Sequence, residues 1–369
     1  MEENRNIKAA ILAEPLDLQS AGIYVYLRLL IENLPQQDKI EYQLIRTKEP
    51  EELYNLPNKV LSYRDNMLNL LFRKFFSLPK FIVKEDYDVV IEPAHFGPFN
   101  LPSNIKRVTI IHDLTPILFP KFHLLHSRLF HKFFLKRILR KSHLILANSH
   151  NTKADLLKYY PKIADRVQVI YPAVDKIFTP QNSREVLDNR GINNDYILSV
   201  GTIEPRKNYI SLLKAFEVYK RNNPEDKRDL VIIGKKGWKT DELFSYYNRS
   251  EYKDNIIFLH DVKTEELPAF YSHCSVFVFP SHYEGFGFPL LEAYKCGAKC
   301  IAANNSSLAE IGKSFAHFYE TSNHEELANV LEEAIRSDKG YPEGSNHLDE
   351  DFSMKFHNEI VKLSSSQES

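Results

Sequence analysis

Short, continuously apolar runs alternate along this chain with longer stretches whose apolar residues recur at helical spacing. Ile7 to Ala13, Asp88 to Glu92, Arg107 to His112, His143 to Ala147 and Val167 to Tyr171 read as strands before Pro172. Tyr196 to Val200, Leu230 to Gly234, Asn255 to Leu259, Val276 to Phe279 and Lys299 to Ala303 read as strands after it. Strands so uniformly apolar are buried on both faces, and their alternation with helices predicts parallel sheets covered on both sides. The fold class is therefore α/β, and a length of 369 residues exceeds one comfortable core. Pro172-Ala173-Val174-Asp175-Lys176-Ile177-Phe178-Thr179-Pro180 is a proline-bounded connector, followed by turn-rich sequence to Asn194. The expected domains are 1–175 and 176–350, with a last segment, 351–369, carrying a helical pattern from Phe352 to Leu363.

Composition narrows the setting. With 48 basic and 49 acidic residues the net charge is −1, which gives no reason to expect a nucleic-acid partner. Three cysteines, Cys274, Cys296 and Cys300, lie within strand or helix patterns and fit a reducing cytoplasm. Neither a signal peptide nor an apolar run long enough to span a bilayer is expected. One charge bias is local: seven Lys or Arg and no acid from Lys121 to Lys141. Arg128, Lys132, Lys136 and Arg140 follow at four-residue spacing, interleaved with Leu129, Phe130, Phe133 and Phe134. Such a helix either packs on a sheet with a solvated basic side or meets an anionic membrane surface. His123, His126 and His131 lack a partner at metal-ligand spacing and read as surface.

The chemistry concentrates after Val278. Glu284 and Glu292 frame Glu284-Gly285-Phe286-Gly287-Phe288-Pro289-Leu290-Leu291-Glu292, between a buried strand and a helix beginning near Phe288 or Pro289. A helix start attracts phosphate through its outward N–H groups and dipole, and Gly285 and Gly287 admit a ligand close to the backbone. Carboxylates beside such a cradle suit sugar hydroxyls, the layout of a nucleotide sugar. A second loop follows Tyr196 to Val200: Gly201-Thr202-Ile203-Glu204-Pro205-Arg206-Lys207-Asn208, with Asn208 expected as the N-cap of the next helix. Arg206 and Lys207 beside a helix start can neutralise a diphosphate, Arg206 with a bidentate fork.

These two segments resemble the signature of the retaining glycosyltransferases of family 4. The resemblance covers nearly the whole chain, is strongest from Tyr196 to Ala309 and weakest between Glu32 and Asp86. It implies the GT-B fold, two doubly wound Rossmann-like domains facing across a cleft, with the last helix crossing back to the first domain. It implies Glu284 at the donor hexose, Glu292 at the ribose, and Arg206 and Lys207 at the diphosphate. His112 in Ile110-Ile111-His112-Asp113 matches a family histidine near the reaction centre, with Asp113 a possible cap of the next turn. Gly22 in Ser20-Ala21-Gly22-Ile23 resembles a glycine that makes room for donor phosphate, although Ala21 stands where many members have a second glycine. Gly285, Phe286, Gly287, Phe288, Pro289 and Leu290 would line the cradle. Lys235, after Leu230 to Gly234, and Val262, after Phe258-Leu259-His260-Asp261, would complete the donor site.

The implied reaction moves a hexose from a nucleotide diphosphate sugar, GDP-mannose first and UDP-sugars next, to a glycan or lipid-linked glycan with retention. Arg206 and Lys207 take the place of a metal, and none is expected. The alternatives are a non-catalytic GT-B partner subunit and a nucleotide-sugar epimerase. A dehydrogenase is disfavoured, because the first strand leads into Glu14-Pro15-Leu16 and not a dinucleotide fingerprint.

Overall fold

A computed structural model describes residues 6–18, 21–35, 39–50, 54–64, 66–337 and 351–365. The chain forms two compact units, one comprising Met1–Ala173 with His347–Ser369, the other Val174–Asn346. Each is built on a parallel sheet, as the uniformly apolar runs require.

In the first unit seven strands lie in the order β3-β2-β1-β4-β5-β6-β7: β1 Ile7–Leu12, β2 Ile40–Arg46, β3 Asn58–Val60, β4 Val89–Glu92, β5 Lys106–Ile111, β6 Leu144–Ala147 and β7 Val167–Val169. All their pairings are parallel. The strand order reverses between β1 and β4, the switch point whose carboxyl-end crevice binds ligands in open α/β sheets. β2 and β3 were not anticipated. β2 carries Glu41, Gln43 and Arg46, and β3 is a three-residue edge strand, Asn58-Lys59-Val60, so neither has the apolar run of the inner strands.

Two long helical runs in this unit share one irregularity. Met67–Phe72 and Leu78–Lys84 are joined by a π-helical stretch, Arg73–Ser77. Leu125–Phe130 and Lys136–Lys141 are joined by another, His131–Leu135. Each widened turn lets polar side chains lie inward: Arg73 and Lys74 in the first, His131 in the second. The last helix, Phe352–Ser365, belongs to this unit. It buries Phe352, Phe356 and Ile360, sets the Phe352 ring 5.0 Å from that of Tyr26, and joins His357 Nδ1 to the Tyr42 hydroxyl at 3.0 Å.

In the second unit six strands lie in the order β10-β9-β8-β11-β12-β13: β8 Tyr196–Val200, β9 Asp229–Ile233, β10 Ile256–Leu259, β11 Val276–Phe279, β12 Cys300–Ala303 and β13 Ala316–Tyr319. All pairings are again parallel. Every residue of β8, β9, β11 and β12 is buried. β13 escaped notice because it is a short edge strand, Ala316-His317-Phe318-Tyr319, with His317 exposed. The order reverses between β8 and β11, the two strands that deliver the Arg206–Lys207 loop and the glutamate loop.

Candidate nucleotide-sugar site

The loops after β8 and β11 are locked to each other. Glu284 lies between the two cations, its Oε1 2.8 Å from Lys207 Nζ and its Oε2 2.7 Å from Arg206 Nη1. Arg206 also donates to the Tyr283 carbonyl at 2.9 Å and to Glu204 Oε1 at 2.6 Å. Lys207 Nζ sits 4.6 Å above the Phe279 ring. The His282 N–H donates to the Arg206 carbonyl at 2.8 Å, and Asn208 Nδ2 to the Pro280 carbonyl at 3.1 Å. Asn208 occupies the N-cap position the sequence suggested, but its side chain makes no capping hydrogen bond. It enters the helix Tyr209–Asn222 in the left-handed conformation, φ 56°, rather than the extended one from which a cap side chain usually accepts, and its amide nitrogen ties the helix start to the neighbouring loop.

The glutamate loop is fixed from its other side by the turn after β12. Ser306 Oγ accepts the Glu284 N–H at 3.0 Å, and Ser307 Oγ donates to the carbonyls of Glu284 and Phe286 at 2.9 and 2.8 Å. Nothing in the isolated sequence pointed to these serines. Gly287, at the entry to the helix Phe288–Lys295, has φ 108°, and an added Cβ would lie 2.9 Å from Leu308 Cδ2. Backbone angle and inward packing are each enough to require glycine here. Gly285 is buried in the same loop without a positive φ.

The start of this helix offers fewer outward amides than a bare helix start. Pro289 has no N–H, and the Leu290 N–H turns back to the Gly287 carbonyl at 3.0 Å. The Leu290 side chain is fully buried. Phe286 is also buried, and its ring meets the half-buried Phe288 edge-on at 5.1 Å. Glu292 is buried in the second turn of the helix, where Oε2 accepts the Tyr271 hydroxyl at 2.9 Å. Tyr271 was not foreseen, because its helix, Leu267–His273, carries no recognisable motif. Beyond β9, the Ile203 N–H donates to the Lys235 carbonyl at 2.9 Å while the Lys235 side chain is exposed. Val262 lies half-buried after β10.

The first unit holds the remaining candidates. His112 follows β5, and its Nε2 lies 2.7 Å from the Pro93 carbonyl. A carbonyl only accepts, so Nε2 carries the proton and Nδ1 is the acceptor atom of the neutral ring. Burial holds the His112 pKa below the usual histidine range, against the Pro93 bond and nearby Asp113. Asp113 Oδ1 accepts from the N–H and hydroxyl of Thr115, so it caps the following turn. The His112 N–H donates to His95 Nε2 at 2.9 Å; His95 Nδ1 lies 3.4 Å from His131 Nε2, and His131 Nδ1 donates to the Ser127 carbonyl at 2.8 Å. His131, expected on the surface, is thus buried, turned inward by the π stretch. Burial first, then the His112 and His131 rings, push His95 down to about 3, so the column is neutral. Gly22 is exposed in the first turn of the helix Ala21–Glu32, and Ser20 lies outside the described residues.

No group of three His, Cys, Asp or Glu able to hold a metal occurs among the described residues. Asp-X-Asp spacings exist at Asp86-Tyr87-Asp88 and Asp349-Glu350-Asp351; the first precedes β4, on the amino side of the sheet, where Asp88 Oδ2 accepts the Lys8 N–H at 2.8 Å, and Asp349 and Glu350 of the second lie outside the described residues.

Two family models match this chain in succession: Glycosyltransferase Family 4 over residues 21–177 and Glycosyl transferases group 1 over residues 184–350. Between them they take in most of both units. The chain belongs to the family 4 glycosyltransferases. Among relatives of this chain is the O-antigen chain mannosyltransferase B of Escherichia coli, 32% identical over 226 residues, which are 59% of this chain and 58% of that protein. The chain thus matches little more than half of that relative's length. The N-acetylgalactosamine-N,N'-diacetylbacillosaminyl-diphospho-undecaprenol 4-alpha-N-acetylgalactosaminyltransferase of Campylobacter jejuni is 24% identical over 346 residues, 89% of this chain and 87% of that one. The GT-B fold is shared with solved structures such as Anabaena HepE in complex with UDP-glucose, with a TM-score of 0.75 and 18% identity over 98% of this chain and all of that one.

In this family 4 glycosyltransferase the two signature glutamates titrate oppositely. Burial disfavours ionisation of Glu284, yet Arg206 and Lys207 outweigh it and hold the carboxyl below its usual range. Glu292 has no cation in contact, so burial pushes it up to about 7, against the Tyr271 bond and with help from Asp175. A carboxyl whose folded pKa is raised keeps its proton in the native state after the unfolded chain, near ~4.3, has lost it. Stability therefore falls as pH rises from there towards 7, then levels. If the ionised carboxylate is the form that accepts ribose hydroxyls, affinity for a nucleotide sugar will rise with pH, by up to about ten-fold per unit, and flatten above 7. The donor's diphosphate, esterified at both ends, lacks the second ionisation of a phosphate monoester and does not confuse the reading. Glu292→Gln should bind more weakly above pH 7 and show no slope; a slope that survives the substitution places the titrating group elsewhere.

Proposed function

We propose that this protein is a retaining hexosyltransferase that moves a hexose, mannose from GDP-mannose by preference, onto a hydroxyl of a lipid-linked glycan. The observation that carries the reading is Glu284 held between Arg206 and Lys207 at the switch point of the second sheet. In the proposed reaction the bond from the anomeric carbon to the diphosphate oxygen breaks, and the acceptor oxygen bonds to that carbon on the same face. The acceptor proton passes to the departing phosphate oxygen, so no protein nucleophile is required. Negative charge grows on the leaving diphosphate, where Arg206 and Lys207 are donors already in place, and positive charge grows on the sugar, where Glu284 supplies an anion.

Glu204, Arg206, Lys207 and Glu284 are formally neutral as a group, so the diphosphate must share the cations with Glu284. Five donors on arginine and three on lysine make that sharing feasible. These cations do the work a metal ion does elsewhere, and the proposal includes none. Glu292, steadied by Tyr271, is given to the ribose, and His112 Nδ1 to a sugar hydroxyl.

Mannose is favoured because an O-antigen relative is named a mannosyltransferase, and a lipid-linked acceptor because the Campylobacter relative is named for a diphospho-undecaprenol substrate. The acceptor would be met at the cytoplasmic face of an anionic membrane. Three cysteines in so large a chain, Cys274, Cys296 and Cys300, suit a reducing compartment, and no helix among the described residues is long and apolar enough to cross a bilayer.

Calorimetric titration with a panel of GDP- and UDP-sugars tests the reading on the native protein, Glu292→Ala and Lys207→Ala. Selective binding of GDP-mannose, weakened in both variants, is expected. A folded native protein that binds no donor would instead be a non-catalytic partner subunit.

A further inference from the structure

The first unit exposes large apolar side chains in an ordered way. Leu68, Phe72 and Phe76, 79%, 59% and 60% exposed, stand four residues apart on the 67–84 helix; Leu125, Leu129 and Phe133, 63%, 43% and 66% exposed, do the same on the 125–141 helix. The two rows adjoin a shared aromatic seam. Phe75, beside Phe76, has its ring 6.0 Å from that of Phe134, beside Phe133, and 4.4 Å from Phe99, which itself lies 5.0 Å from Phe134. Scattered exposed apolar residues need no explanation, but two rows joined by a packed seam form a patch that monomeric proteins seldom leave to water.

Charge says what would cover it. Residues 66–84 contain four Lys or Arg and residues 121–141 seven, with no Asp or Glu in either stretch, in a chain whose overall charge is −1. Of the first four, Arg73 and Lys74 turn inward towards Glu14, while Lys80 and Lys84 are exposed. On the second helix Arg128, Lys132, Lys136 and Arg140 are all exposed, four residues apart along a row next to the apolar one. A protein partner with an apolar face would not call for cations unrelieved by any acid across both helices, whereas an anionic bilayer offers acyl chains below a negative surface. Neither helix is long and apolar enough to cross that bilayer, so contact would be made by lying on it.

We propose that the 67–84 and 125–141 helices together form a docking face for an anionic bilayer. Leu68, Phe72, Phe76, Leu125, Leu129 and Phe133 enter the headgroup–acyl boundary, and the basic row beside them rests on the headgroups. This extends the lipid-linked acceptor reading and takes its biological purpose from it, but the contact is measurable without any sugar transfer. The 67–84 helix, without the dense basic spacing of its neighbour, doubles the apolar face.

The test is co-sedimentation of the full chain with vesicles of phosphatidylcholine, alone or mixed with phosphatidylglycerol. Binding is expected to the mixed vesicles and not to phosphatidylcholine alone. Phe72→Ser, Phe76→Ser and Phe133→Ser combined should lower the partition coefficient at least about ten-fold, as should Arg128→Gln, Lys132→Gln and Lys136→Gln combined. Both variants should keep native donor affinity and melting temperature, because all six side chains are exposed. Phe133→Trp should show blue-shifted emission quenched by brominated lipid. Undiminished binding by the serine variant, no binding by the native protein, or a vesicle-free dimer that the serine substitutions dissociate would each overturn the proposal. Loss of donor binding in the native protein would sink the transferase reading and leave the vesicle result standing.

Discussion

Replacing Lys207 with alanine should lower kcat by about a hundred- to a thousand-fold, the usual consequence of removing one preorganised donor from a centre of developing charge. The ground state loses less, because Arg206 Nη1 still reaches Glu284 at 2.7 Å and its guanidinium still faces the loop. Steady-state kinetics separate the two contributions. An interaction made chiefly in the transition state shows as parallel falls in kcat and kcat/KM, and one made equally in both states as a rise in KM alone. The second pattern would demote Lys207 to a binding residue. Burial also lowers the Lys207 pKa against the pull of Glu284, so the cation is retained by its carboxylate partner. Accordingly, Glu284→Gln should release part of that hold and lower the Lys207 pKa further, which a titration followed on the native protein and the variant would read as a downward shift.

The second large effect is expected from a residue that touches no substrate. Gly234 ends β9 where its loop is pressed against the loop after β8, and a Cβ there would lie 2.0 Å from the Gly201 carbonyl oxygen. No rotamer relieves a clash between a Cβ and backbone, so Gly234→Ala must move one loop. Overpacking of this kind costs about 1–3 kcal/mol, and in a unit of this size the upper end lowers Tm by about 6–12 °C. Gly201 is held by the Tyr209 hydroxyl at 2.9 Å on its carbonyl, and an added Cβ on it would meet Lys207 Cε at 3.2 Å, so the displacement reaches the cation. Donor affinity should therefore fall together with Tm. Gly297→Ala is the control: its φ is +83° but nothing lies within 4 Å, so it should cost about 1–2 kcal/mol of backbone strain and leave donor binding intact. Equal donor affinity in native protein and Gly234→Ala would show that the loop after β8 does not set the site.

Much of this architecture was legible in the chain because its inner strands are buried on both faces. Val276-Phe277-Val278-Phe279 and Tyr196-Ile197-Leu198-Ser199-Val200 could hardly be anything but central strands, and the loops that follow them announced their chemistry through Arg206, Lys207 and Glu284. Three strands at or beside an edge, β2, β3 and β13, were hidden for the converse reason, whereas the edge strands β7 and β10 were readable. One face or one edge of Asn58–Val60 and Ala316–Tyr319 meets water, so their composition resembles that of loops. What supports the site was hidden for another reason. Ser306, Ser307, Tyr271 and Gly234 act through contacts with residues distant in sequence, and no local pattern marks a serine that holds up a loop some twenty positions away. His131 was misread as surface on its lack of a partner at metal-ligand spacing, which says nothing of burial; what turns it inward is a local departure from 3.6 residues per turn that no sequence pattern announced.

That departure has a bearing on descent. A π stretch is what a helix becomes when it absorbs one extra residue while its two ends keep their places. Residues 73–77 and 131–135 are thus two helical positions, among the described residues, where a lineage could shed or acquire a single amino acid without disturbing Leu78 and Ile82 on one helix or Ile138 and Leu139 on the other. Such an event would alter which side chains turn inward at Lys74 and His131, and with them the ring beside His95. One-residue gaps among homologues should accumulate in these windows, so that length polymorphism traces how ancestors of this chain retuned the inner face of a helix while conserving its frame.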